Sequence, residues 1–168
     1  PGKVPNKKGN KYYIYGDSGS NSYGTIGIGH LIDTRRPSSI DSTRKKLNII
    51  NPSLTVEGVI SGEQGLTFSE VQKLFDIDVK EKIMVAQRQF PQLHTYPEEM
   101  QAAIIDGYFW GMLGKSRKTR ILLKSDRLEE AKKEWLDNKT FRTGESRYRF
   151  QNFNKAIDVW INNRRSSK

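Results

Sequence analysis

Residues 67–79 read TFSEVQKLFDIDV, and the fold turns on them. Thr67 and Glu70 stand at the spacing of a capping box, in which hydroxyl and carboxylate satisfy each other's backbone N–H groups at a helix start. Behind them Val71, Leu74, Phe75, Asp78, Val79 and Ile83 recur at helical spacing. The pattern predicts a helix running to about Phe90, where Pro91 stops it. Downstream the same period continues. Met100, Ala103, Ile104 and Tyr108 mark a helix from Glu98 to about Leu113. Leu128, Ala131, Trp135 and Leu136 mark a third, and Phe150, Phe153, Ile157, Trp160 and Ile161 a last one.

Upstream of Thr67 the period shortens. YYIY, residues 12–15, reads as a strand, and Thr25, Ile26 and Ile28 as a second. Asn21 and Gly24 supply turn chemistry between them, which predicts a small antiparallel hairpin. Residues 33–66, punctuated by Pro37 and Pro52, are ambiguous. Ile40, Leu47 and Ile50 suit a short helix, and NPSLTVEGVISGEQG reads as mixed loop and short strand. The expected architecture is α+β: one domain over 1–168, with 1–66 a small β-containing lobe with an extended loop region and 67–168 a linking helix and helical lobe.

The 168 residues suffice for one sizeable core, and the aromatic content argues against disorder. With no cysteine and two histidines, neither disulfides nor a metal site is expected, and no cofactor. No run of eighteen apolar residues exists, so no membrane insertion is expected. Pro1 in place of Met reads as a processed product or a piece of something longer. The net charge of +10 attracts polyanions, whether nucleic acid, anionic lipid or the acidic bacterial wall. KSRKTR, residues 115–120, and Arg142, Arg147, Arg149, Arg164, Arg165 and Lys168 concentrate it. No recognised nucleic-acid motif accompanies this charge, so nucleic acid is not the expected partner.

The remaining signal is GDSGSNSYGTIGIGH, residues 16–30. Taken alone, Asp17 suits an Asx-turn and Thr25 a strand. Asn138-Lys139-Thr140 has the spacing of a glycosylation acceptor, without a context that gives it meaning.

YIYGDSGSNSYGTIGIGHLI resembles the signature of the phage T4-type lysozymes, the glycoside hydrolase family 24 muramidases, with their Y-x-D-x-x-G followed by T-x-G-x-G-H. TFSEVQKLFDIDV is similar to the start of the long helix joining that family's two lobes. YFWGMLG and RLEEAKKEWLDNKTF resemble its helical lobe, and ESRYRFQNF its arginine-bearing segment. The resemblance implies a lysozyme-like fold and hydrolysis, with inversion, of the bond between N-acetylmuramic acid and N-acetylglucosamine. It gives Asp17 and Thr25 the task of holding the water, Arg147 and Gly27 contact with substrate, and His30 and Asp78 a structural pairing.

The family's general acid is a glutamate before a glycine, nine positions ahead of the aspartate. Here that position is Lys8, followed by Gly9, and residues 1–16 contain no Asp or Glu. Glycoside hydrolysis uses two carboxyl groups across the scissile bond. An ordinary lysine, with a pKa of about 10.4, holds its proton too tightly to replace one. Losing a general acid costs about 10²–10⁴ in rate. Three routes stay open: another chain supplies the glutamate, Glu57 or Glu63 folds back, or the chain is inactive. The expectation is an inactive or weak peptidoglycan-binding or structural virion component of a tail or baseplate. Its partners are then peptidoglycan glycan strands or other virion proteins. It resides in the virion and makes contact at the bacterial periplasm or cell wall, or lies in the host cytoplasm before lysis. The alternative is an active muramidase in lysis or cell entry.

Overall fold

The structure, a computed structural model, describes residues 6–16, 23–137 and 147–166. Asp17 and the Asn138–Thr140 triplet lie outside them, as does Arg142. The chain divides into two compact units, Pro1–Lys80 and Glu81–Lys168.

The first unit holds two small antiparallel sheets. Strands β1 (Lys7–Lys8) and β2 (Lys11–Tyr12) form a hairpin, and β2 pairs on its other edge with β6 (Leu66–Thr67). Gly9 opens the two-residue turn at φ +60°, a conformation glycine adopts without strain. In the second sheet, β4 (Tyr23–Ile26) lies between β3 (Tyr15–Gly16) and β5 (His30–Asp33). The YYIY stretch is therefore not one strand: Tyr12 pairs with Leu66 in one sheet and Tyr15 with Thr25 in the other. Ile28 is likewise not in a strand but in the turn from β4 to β5.

The region that was ambiguous in sequence is largely helical. Helix α1 (Pro37–Ile50) begins with proline at its first position, where a missing N–H costs nothing. Helix α2 (Val56–Ser61) is capped by the Thr55 hydroxyl, which accepts from the Gly58 N–H at 3.0 Å, and ends at Gly62 with φ +78°. The expected strand in this stretch is thus a helix. Helix α3 (Phe68–Gln89) starts on the capping box. The Glu70 carboxylate accepts from the Thr67 N–H at 2.7 Å, and the Thr67 hydroxyl accepts from the Glu70 N–H at 3.3 Å. Ile26, Ile32, Leu47, Val56, Val59, Leu66, Val71 and Leu74 are fully buried in this unit's core.

The second unit is helical in its described residues. The helix expected from Glu98 to Leu113 is two: α4 (Glu98–Phe109) and α5 (Met112–Lys115), separated at Gly111, whose φ is +83°. Helix α6 (Arg117–Lys124) follows, built on the basic run, then α7 (Leu128–Leu136) and α8 (Arg147–Ser166). Its core is aromatic. The Trp135 ring stacks on Phe153 at 4.3 Å and tilts against Phe150 at 4.9 Å, and its indole N–H donates to the Phe150 carbonyl. The protein is accordingly a mixed α+β fold with two small antiparallel sheets and several helices.

Candidate functional site

The TIGIGH stretch is shaped by one sharp reversal. Gly27 and Gly29 turn β4 into β5 with φ of +60° and +80°. A Cβ at Gly27 would stand 3.2 Å from a Val71 methyl, so the turn lies against α3 and a side chain there would separate them. Thr25, two residues before Gly27, is 8% exposed and stands between Tyr15 and Leu31 in register. Its hydroxyl makes no side-chain hydrogen bond among the described residues.

Past the turn, His30 points inward and is buried. Its Nδ1 meets Asp78 Oδ2 of α3 at 2.7 Å, and its Nε2 meets the Thr43 hydroxyl of α1 at 3.0 Å. The Thr43 hydroxyl donates its own proton to the Ser39 carbonyl at 2.9 Å. It is therefore an acceptor toward His30, and an ionised Asp78 is one too. Both contacts are satisfied when both ring nitrogens carry protons. Asp78 Oδ1 accepts from Lys46 Nζ at 2.7 Å, and the lysine is buried as well. Burial alone would push the Asp78 carboxyl up, but the His30 and Lys46 hydrogen bonds and charges outweigh it and hold the group below the usual carboxylate range. The four side chains join β5, α1 and α3. Such a network is a fastening device: it fixes the end of the turn that carries Gly27 and follows Thr25, and both ring nitrogens of His30 and both carboxylate oxygens of Asp78 have partners.

The structure thus brings His30 and Asp78 together, with Gly27 three and Thr25 five residues ahead of His30 in the chain. Thr43 and Lys46 were missed in the sequence. They lie with Leu47 and Ile50 on one buried face of α1, at i, i+3, i+4 and i+7. Polar residues on an otherwise apolar stripe were the signal, hidden because the helix itself was not recognised.

Lys8 stands exposed on the β1–β2 hairpin, its Nζ 5.5 Å from the centre of the Tyr13 ring. Of the substitute acids, Glu57 is held in its charged form by the Arg44 guanidinium at 2.8 Å, which lowers its pKa. Glu63 is exposed beyond α2. Elsewhere in the first unit Asp33 faces Arg35 and Arg36, Asp41 faces Arg44, and Glu70 is taken up by the helix cap and by Asn51. These carboxylates are acceptors in place, the wrong state for a proton donor. In the second unit Arg147 is exposed at the first position of α8.

Among the described residues no group of His, Asp or Glu has the arrangement of a metal site, and no helix is long and apolar enough to cross a membrane. In comparison with known proteins, the chain matches no protein-family model and no curated protein sequence.

Proposed function

We propose that this chain is a lysozyme-like domain that binds peptidoglycan without cleaving it efficiently, as a virion component. The observation that carries the reading is residue 8. By the resemblance it occupies the general-acid position, yet it is an exposed lysine on a short hairpin. The carboxylates of the first unit that have partners are already committed to arginines, lysine, histidine or a helix cap. The parts of the resembled site with a positioning task support this reading: among the described residues the Thr25 hydroxyl has no side-chain partner, and the glycine turn beside it is fastened by His30, Thr43, Lys46 and Asp78. The net charge of +10 supports retention on an anionic wall.

The test is an assay on purified walls that separates retention from cleavage. The unmodified chain is expected to sediment with the walls and to release no soluble muropeptides above background. Lys8→Glu restores a carboxyl group at the offset from Asp17 that the resemblance requires. Because position 8 is exposed, that carboxyl keeps an ordinary pKa of about 4.3, so the recovered release is expected only below about pH 5. Adding Asp17→Asn to Lys8→Glu should abolish it. Turnover by the unmodified chain would establish the active-muramidase alternative instead. Failure to sediment with walls would overturn the binding reading.

A further inference from the structure

The second unit carries a groove that the proposed function does not use. Helices α4 and α8 pack antiparallel: the ring of Tyr96, just before α4, tilts against Trp160 late in α8 at 4.2 Å, and Asp106 near the end of α4 meets Arg149 near the start of α8. Between them runs a depression of about 400 Å³. Glu99, Ala102, Ala103 and Asp106 form its α4 side. These positions, i, i+3, i+4 and i+7, are a single stripe about 10 Å long. The α8 side is the matching stripe of Arg149, Asn152, Phe153, Ala156 and Val159, with Lys155 on its rim.

Two features say what fits there. The floor is made of alanines, a phenylalanine ring and a valine, and Asn152 is the one uncharged polar side chain among the described lining residues, short of the convergent polar set of a small-ligand site. Its alanines keep it low enough for a third backbone to approach closely. The rims are charged with opposite signs: Glu99 and Asp106 on α4, Arg149 and Lys155 on α8. Asp106 and Arg149 neutralise each other across one end at 3.4 Å. Glu99 and Lys155 are exposed and have no ion-pair partner among the described residues.

We propose that this groove receives an amphipathic α-helix of a partner protein, two to three turns long. Its seam is of small and aliphatic residues, with basic side chains toward α4 and acidic ones toward α8. The seam would complete a three-helix packing, and the two free rim charges would set its orientation.

The experiment uses the full chain and two synthetic helical peptides with the same Ala/Leu seam. One carries Lys on the α4-facing flank and Glu on the other, and the second carries Gln on both flanks. Binding is read by calorimetry and by amide shifts, with fluorescence of Trp110, which lies 5.5 Å from the Arg149 guanidinium, as a local reporter. The first peptide is expected to bind at least about tenfold more tightly than the second, a difference of about 1.4 kcal/mol. In the double variant Glu99→Gln, Lys155→Gln, at positions both exposed and unpaired among the described residues, the preference should vanish. Ala102→Trp, which obstructs the groove from an exposed position, should abolish binding of both. Equal affinity for the two peptides, a preference that survives the neutralisation of Glu99 and Lys155, or binding unaffected by Ala102→Trp would each overturn the proposal. So would the absence of binding at millimolar peptide.

Discussion

Asp78 is the residue on which most of the first unit's buried charge converges. Both of its oxygens are taken, one by His30 at 2.7 Å and the other by Lys46 at 2.7 Å. A buried ion pair gives little net stability over an apolar substitute, but removing one partner leaves the other's charge buried and uncompensated, at about 3–5 kcal/mol. Asp78→Asn is therefore expected to destabilise the protein by about that amount in urea titrations near pH 7, since it keeps the shape and removes the charge. The pH dependence has a definite sign. The Asp78 carboxyl is held below its ordinary value of 3.8 in the folded protein. Its contribution is therefore fully present above the unfolded value and is lost as the pH falls through the folded one. The unmodified chain should lose stability on acidification through this window, and Asp78→Asn should lose less there. A variant costing under about 1 kcal/mol, with an unchanged acid limb, would show the network to be dispensable.

At the scale of the element, what the sequence revealed was whatever is decided within one turn of chain. The start of α3 was legible because Thr67 and Glu70 make the capping box with each other, three residues apart. Thr67→Ala should accordingly cost about 1 kcal/mol, read as a shift of the denaturation midpoint with an unchanged slope. An effect near zero would mean that tertiary packing alone places the helix start. The elements that were misread depend on distant partners or on short span. YYIY looks like one strand, but its register is set by Leu66 on one side and Thr25 on the other, and no local pattern contains that division. Helix α2 has six residues, too few for a period to register, and its β-branched Val56, Val59 and Ile60 favour a strand by propensity alone. Helix α6 was read only as charge, since Ile121 is half exposed and the apolar signal reduces to Leu122 and Leu123. The site was legible to the same extent. The glycine turn and the His30–Asp78 pairing were anticipated through the resemblance. Thr43 and Lys46 were not, because they reach the histidine and the aspartate from a helix that itself escaped recognition.

At the scale of the molecule, the described residues form two hydrophobic cores with no residue in common. One gathers Ile26, Ile32, Leu47, Val59, Leu66 and Leu74, and the other gathers Phe90, Met100, Ile104, Trp135, Phe150 and Trp160. The boundary between the units falls inside α3, which gives Val71 and Leu74 to the first core and Ala86 to the second. All three tryptophans, Trp110, Trp135 and Trp160, belong to the second unit. This asymmetry makes cooperativity measurable without labels, because tryptophan fluorescence follows only the second unit whereas amide exchange reports on both. Leu47→Ala empties a fully buried site in the first core and should cost about 2–5 kcal/mol there. If each core is its own cooperative unit, the amides of Ile26, Ile32, Val59 and Leu66 will exchange faster in that variant. The fluorescence transition in urea should then stay within about 0.5 kcal/mol of the unmodified protein. Leu123→Ala, in the second core, should do the reverse. Equal shifts of both probes in both variants would mean that α3 transmits the loss in full and that the 168 residues unfold as one unit.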